Sequence, residues 1–268
     1  KFGDLRSGTD VLDEGVRRAR EILPDRLRLV LPHGGSIPWA HTTLVGAVLK
    51  TALSVLQPGY PCAVRLHKLN LYGPGGFFVD HVDTPRDRAM IGTVVIGLPS
   101  SHAGGALVVT HAGASFVHQF ASEGKSVASW AALYGDCPHR VEPVTAGCRL
   151  TLTFDLVHDP ELKDQRYVRK YYYPKAIRTE ERSAVPEESV AVMTTRLLKA
   201  VEAHCALAKP LGKRKPLGIV LSHRYVGNEP TLAGLKGVDR LVADAIGSVR
   251  RVQLLPVLVY RHLVTDKW

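Results

Sequence analysis

A chain of 268 residues with 45% apolar side chains can bury one sizeable core, alone or with an accessory region, and has an ordinary globular composition. No apolar run reaches the roughly 18 residues of a membrane span; the nearest stretch, Leu44 to Leu56, contains Lys50 and stops at Gln57. The net charge of +10 is uneven: residues 1–156 hold 15 Lys/Arg against 13 Asp/Glu, a balance of +2, and residues 157–268 hold 20 against 12, a balance of +8. A basic half admits an acidic or nucleic-acid partner, although the one tight run, Lys213-Arg214-Lys215, reads as a solvated loop.

Cys62, Cys137, Cys148 and Cys205 form no C-x-x-C pair and suggest no disulfide framework. Free thiols of this kind point to an intracellular reducing compartment. The chain opens on Lys1 rather than Met, so it is expected to be a trimmed piece whose targeting segment, if it had one, is out of view.

Along the chain, Asp10 can cap a helix carrying Val11, Leu12, Val16 and Ala19 at helical spacing, stopped by Pro24. A second helix is predicted over Trp39–Leu56, between Pro38 and the terminating Gln57-Pro58-Gly59. From Ala63 the texture changes to short β-rich runs between turn residues. Strands are predicted at Ala63–Tyr72, Phe77–Val82, Ile91–Leu98, Ala106–Thr110, Ser115–Phe120, Val127–Tyr134, His139–Val144 and Cys148–Val157. Strands at this spacing suggest a sandwich, barrel or jelly roll, with the two helices covering one face. Residues 159–189 read as a long polar connection. A helix over Glu187–Leu207 follows, then the apolar run Leu217–Leu221, a helix over Val238–Ile246 and a β-like run over Val252–Tyr260.

The chemistry concentrates in His81-Val82-Asp83, His139, Arg149 and Thr151. An H-x-D triplet alone is weak, since about one is expected in a chain of this composition. Placement gives it weight: His81 and Asp83 close a predicted strand, where residues two apart face the same side and can reach one metal. His139 begins a later strand. Two imidazoles and one carboxylate leave open positions of the kind that suit non-haem iron(II). Arg149, on the next strand, offers a planar fork to a carboxylate, and Thr151, two residues on, can add a hydroxyl.

The segments Leu71-Tyr72-Gly73, Phe78–Asp83, Gly104–Leu107, His139 and Gly147–Thr151 resemble the catalytic domain of prolyl 4-hydroxylase-type Fe(II)/2-oxoglutarate-dependent dioxygenases, over roughly residues 63–157. The likeness is closest to a largely uncharacterised eukaryotic, often fungal, group sharing D-V-L-D-E (Asp10–Glu14) and H-V-D-T-P-R (His81–Arg86). The resemblance implies an α+β fold with a double-stranded β-helix (jelly roll) core at 63–157. N-terminal supporting helices at 1–62 and a basic C-terminal α/β extension at 158–268 would flank it. It implies Fe(II) on His81, Asp83 and His139, and 2-oxoglutarate on Arg149 and Thr151 with Tyr72 beside it. O2 would be consumed, and ascorbate would be an optional reductant. Many prolyl hydroxylases carry Lys at the position of Arg149, which leaves cosubstrate binding intact and weakens any claim to a shared substrate.

Arg86 and Tyr134 are the candidate substrate contacts. His102, His111 and His118 read as surface or strand histidines, Gly104 and Gly105 as turn formers, and His223 and Arg224 have no partner legible in the sequence. The expected activity is hydroxylation of a C–H bond in a protein or peptide prolyl residue, or in a small amino-acid-like metabolite. The alternatives are a non-catalytic binding module on the same scaffold and an oxygenase directed at nucleic acid.

Overall fold

Alternating apolar and polar residues between Cys62 and His158 make strands, and in the computed structural model these assemble into two antiparallel sheets. The structure describes residues 2–3, 10–11, 13–27, 29–30, 36–37, 48, 51–53, 55–56, 62–86, 89–120, 129–158, 187–208, 217–225 and 231–255. In chain order, β1 (Phe2–Gly3) pairs with β2 (Asp10–Val11), β3 (Arg20–Ile22) follows, and β4 (Leu29–Val30) pairs with β5 (Ser36–Ile37). Next come β6 (Cys62–Tyr72), β7 (Phe78–His81), β8 (Met90–Gly97), β9 (His102–Gly104), β10 (Leu107–His111) and β11 (Ala114–His118). The series ends with β12 (Trp130–Tyr134), β13 (His139–Val141), β14 (Val144–Gly147) and β15 (Arg149–His158).

The larger sheet has the order β12-β8-β15-β6-β3 and the smaller β11-β10-β13-β7, with β9 and β14 as a separate pair. Tyr72 of the larger sheet packs with Leu107 and Val141 of the smaller, joined by Val95, Val109, Ala131 and Phe78, so the two sheets face each other across an apolar layer. This is the jelly-roll core. On the other face of the larger sheet, Val94, Ile96, Leu152, Phe154 and Leu156 are at most 1% exposed. Each such side chain contributes roughly 1.5–3 kcal/mol of burial.

The helix expected over Trp39–Leu56 covers that outer face. Its described residues, Val48, Thr51–Leu53, Val55 and Leu56, are helical, and Val48, Ala52 and Leu56, spaced four apart, present one stripe to the sheet. The rest of that helix lies outside the described residues.

The helix expected from Asp10 is not there. Asp10–Val11 is β2, Glu14–Val16 is a turn, and Arg20–Ile22 is β3. The Asp13 side chain accepts from the Gly15 N–H at 2.8 Å and its carbonyl from the Arg17 N–H at 2.9 Å, which tightens one turn and goes no further. Two ladders then claim the backbone. Val79 N donates to Val16 O, and Arg18 and Phe77 exchange N–H···O bonds, while β3 pairs with β6. Residues 16–22 therefore pass from the edge of the smaller sheet to the edge of the larger and close one side of the barrel. Tertiary pairing overrides the local helical spacing.

The predicted strand over His139–Val144 divides into β13 and β14 around Glu142-Pro143. After His158 the described residues carry helices at Glu187–Ala208 and Gly237–Gly247 and no strand; Leu217–Leu221 and Val252–Leu255 are irregular, and residues 256–260 of the second β-like run lie outside the described set.

Phe154→Ala should lower the unfolding free energy by about 3–5 kcal/mol, because its site is closed by sheet and helix together. Urea unfolding followed by circular dichroism checks this; a loss below about 1 kcal/mol would mean the outer face is not packed as described.

Candidate active site

β13 lies beside β7 with His139 directly opposite His81, and Asp83 follows two residues after His81. One ligand atom from each of the three lies within 4.8 Å of the others, and they are the one such group of His, Cys, Asp or Glu among the described residues. His139 Nε2 is 3.8 Å from Asp83 Oδ1, and the two imidazole centroids are 4.1 Å apart. Both rings are held from behind. His81 Nδ1 meets the Val79 carbonyl at 2.8 Å and His139 Nδ1 the Cys137 carbonyl at 2.9 Å. With Nδ1 donating, each Nε2 keeps its lone pair for a metal. The Thr93 hydroxyl donates to Asp83 Oδ2 and the Gly135 carbonyl accepts from the Asp83 N–H. Burial, then the neighbouring His139, push the His81 pKa down and favour the neutral imidazole that a metal requires.

Arg149 opens β15 opposite Tyr72 and is 1% exposed. Its guanidinium carbon lies 5.2 Å from the Tyr72 ring centroid and 4.7 Å from that of Phe120. Burial lowers its pKa. Among the described residues, neither Arg149 Nε nor the buried Thr151 hydroxyl has a hydrogen-bond partner. A buried cation beside an unpaired hydroxyl is costly unless a ligand completes it, and a carboxylate is the group that completes both. Gly105, at φ +70°, is more than a turn former: a Cβ there would stand 2.9 Å from Arg149 Cδ. The residues thus fit both a divalent metal and an α-keto dicarboxylate.

The two candidate substrate contacts part company: Arg86 lies on the barrel side, where its partner Asp155 stands opposite Thr93, the residue that holds Asp83, and Tyr134 does not. Arg86 Nη1 pairs with Asp155 at 3.0 Å and is committed to that buried carboxyl. Tyr134 packs with Trp130 and Ala132 against the outer-face core, and its hydroxyl donates to the Leu56 carbonyl at 2.7 Å. Its side chain is on the opposite face of the sheet from the metal ligands' cavity, because strand residues alternate.

A family model described as the 2OG-Fe(II) oxygenase superfamily matches residues 67–154, which include His81, Asp83, His139, Arg149 and Thr151. Residues 67–154 are a 2OG-Fe(II) oxygenase domain. The domain implies Fe(II), 2-oxoglutarate and O2 as cofactors of a dioxygenase, and the His81–Asp83–His139 group fits iron. Among solved structures, a 2OG-Fe(II) oxygenase-family oxidoreductase from Burkholderia pseudomallei is similar at 21% identity, over 35% of this chain and 43% of that one, with a TM-score of 0.29. A Pseudomonas putida prolyl-4-hydroxylase is similar at 22% identity, over 55% and 75% of the two chains, with a TM-score of 0.36. A prolyl hydroxylase from Trichoplax adhaerens is similar at 18% identity, over 61% and 74%, with a TM-score of 0.41. This chain spans less than half the length of the Burkholderia protein. No curated protein matches the chain. No helix among the described residues is long and apolar enough to cross a membrane.

Around the oxygenase domain's ligands lies polar machinery that sequence reasoning missed. Arg17, 4% exposed, reaches in from the segment that closes the barrel. It bonds Glu21 at 2.9 Å and Asn70 at 2.6 Å, and its guanidinium carbon lies 5.2 Å from the Phe78 ring centroid, a ring that itself stacks on His81. Lys68 shares Glu21 at 2.9 Å, and Asn70 donates to Thr153. Burial opposes ionisation of Glu21, but the hydrogen bonds from Lys68 and Arg17 win and hold its pKa at about 2. His118, expected to be an ordinary strand histidine, stands edge-on to Phe120, and burial and then the Arg149 charge lower its pKa. Only the alternation of β6 and β15, which points Lys68, Asn70 and Thr153 to the Arg149 face, could have hinted at this row.

His67 yields a pH prediction. Burial first, then the charges of Arg86 and Lys68, lower its pKa from 6.5 to about 3. Below 6.5 the unfolded chain takes up a proton there that the folded protein refuses until about pH 3, so acidification across this window penalises the native state. In metal-free protein, His67→Gln should soften the loss of urea midpoint between pH 6.5 and 4 and leave the midpoint above pH 7 nearly unchanged; parallel pH profiles for both proteins would refute the burial of this ring.

Proposed function

We propose that the chain is an Fe(II)- and 2-oxoglutarate-dependent dioxygenase hydroxylating an unactivated C–H bond, in a prolyl residue of a protein or peptide or in a small amino-acid-like metabolite. The observation that carries this reading is the pairing, within one barrel, of three convergent metal ligands with a buried cation whose Nε has no partner among the described residues.

His81 and His139 would hold the metal through Nε2 and Asp83 through a carboxylate oxygen, leaving one face open. Arg149 would grip the distal carboxylate of 2-oxoglutarate, with the Thr151 hydroxyl as a second donor and the Tyr72 ring as a wall. The bound metal, cosubstrate and oxygen supply the oxidising power, with succinate and carbon dioxide as coproducts. The protein's part is positional. The Val79 and Cys137 carbonyls fix the imidazole planes, Thr93 and the Gly135 carbonyl hold Asp83, and Tyr72, Phe78, Val95 and Phe120 keep the interior apolar around these groups. The prolyl choice rests on the family-level resemblance over residues 63–157, and Arg149, where many prolyl hydroxylases carry Lys, is what keeps the small-metabolite choice beside it.

Anaerobic addition of Fe(II) and 2-oxoglutarate should produce a weak visible charge-transfer band that is lost in His139→Ala. In Arg149→Met the cosubstrate dissociation constant should rise at least about tenfold, or 1.4 kcal/mol. Absence of the band from folded, iron-loaded wild type would remove the cosubstrate assignment and favour a binding module. Succinate release on prolyl peptides against free amino acids then separates the two substrate classes.

A further inference from the structure

The turn between β12 and β13 holds two of the three metal ligands from behind. Its Gly135 carbonyl accepts from the Asp83 N–H at 2.9 Å, its Cys137 carbonyl meets His139 Nδ1 at 2.9 Å, and Cys137 N to Tyr134 O closes it at 3.0 Å. Any displacement of this turn moves both ligands.

The middle of the turn is held by the C-terminal region. Asp136 accepts from Lys236 Nζ at 2.8 Å and the Arg224 N–H at 2.9 Å, and lies 3.2 Å from His223 Nδ1. A second acid organises these partners: Asp239, 3% exposed in the first turn of helix Gly237–Gly247, accepts from Ser222 N, His223 N and the Tyr225 hydroxyl at 2.8, 2.9 and 2.8 Å. Lys236 also donates to the Arg224 carbonyl at 3.0 Å. Burial opposes ionisation of Asp136, but its His223 and Lys236 partners hold its pKa well below the usual carboxylate range. Tyr134, where the turn begins, packs on the His223 ring at 4.2 Å. Gly237, at φ +43°, comes so close that a Cβ there would stand 2.2 Å from the Tyr134 hydroxyl. Most of these bonds end on the turn or on the segment that grips it.

We propose that residues 222–225 and 236–239 are a built-in support of the metal centre: through Asp136 and Tyr134 they fix the Gly135–Pro138 turn and thereby the geometry of Asp83 and His139. Asp136, His223 and Lys236 are positioning residues and touch no reacting atom. The inference rests on the metal reading above. Outer-shell partners of metal ligands are worth about 10–100-fold in metal affinity.

The test uses Mn(II), an oxygen-inert probe, titrated calorimetrically into the full chain. Thermal midpoints are measured without metal on the same proteins. In Asp136→Asn, Lys236→Met and Gly237→Ala the Mn(II) dissociation constant should rise about tenfold or more, while Lys236→Arg retains affinity. Val48→Ala, which loosens the outer face of the larger sheet and removes none of the turn's hydrogen bonds, should lower the midpoint and leave affinity within about twofold. If the three turn-support variants behave like Val48→Ala, losing midpoint but not affinity, the region is merely stabilising and the inference is overturned. Should Asp136→Asn fail to fold, Lys236→Met and Gly237→Ala carry the same decision. Wild type that binds no more Mn(II) than His81→Ala would overturn the metal reading itself, and this inference with it, which is a different result from wild-type binding that the support variants leave unchanged.

Discussion

The two-residue period of β15 is the constraint on which the other features depend. Leu152, Phe154 and Leu156 project to the helix-covered face and supply the driest part of the core, while Arg149, Thr151 and Thr153 project into the barrel and supply its polar lining. One strand thus serves stability and site together. A slip of one residue would drive Arg149 into the outer apolar cluster and expose Phe154, so the register is specified by a penalty on both faces. The ladder to β6 shifts once, between Thr153 and Phe154, where Thr153 pairs with Lys68 and Phe154 with Leu66. His67 is the extra residue, a bulge that lets β6 keep Tyr72 and Asn70 turned inward while Val64 and Leu66 reach the outer core.

Charge inside the barrel separates structural pairs from a ligand site. Arg17 and Lys68 converge on Glu21, and Arg86 meets Asp155; each such cation has its carboxylate within the protein. Arg149 is more deeply buried than Arg86 or Lys68 and is faced by aromatic rings rather than an acid. Burying a cation against ring faces recovers only part of its hydration. A fold that maintains this arrangement, and uses a glycine at position 105 to make room for it, is one whose balance closes when an anion enters.

Much of this was legible in advance. Of the ten strands between Cys62 and His158, all but β9 fall in runs that announce themselves through alternation bounded by Gly and Pro, with β13 and β14 read as one, and the spacing of His81, Asp83 and Arg149 against those strands is enough to converge on one cavity. What failed did so for physical reasons. Val11, Val16 and Ala19 carry a helical rhythm, yet their stretch is claimed by sheet edges whose need for pairing is invisible locally. Arg86 and Tyr134 look available in sequence, but Asp155 and the Leu56 carbonyl, far along the chain, bind them. His223 seemed to lack a partner because Asp136 lies 87 residues away; no local pattern encodes such a meeting.

The same distances bear on what the smallest complete unit is. The family match ends at residue 154, and the metal and cosubstrate groups all fall inside it. The groups that hold them in place do not. Arg17, Glu21 and β3 close the barrel from one side of the sequence, Val48, Ala52 and Leu56 cover Phe154 and Leu156, and Lys236, His223 and Arg224 reach the turn behind Asp83 and His139 from the other, with Asp239 holding the His223 backbone. A segment of 67–154 alone would expose its most buried apolar face to water and leave Asp136 without donors. Ligand identity is therefore local in this sequence, whereas ligand geometry depends on described residues as far apart as Arg17 and Asp239.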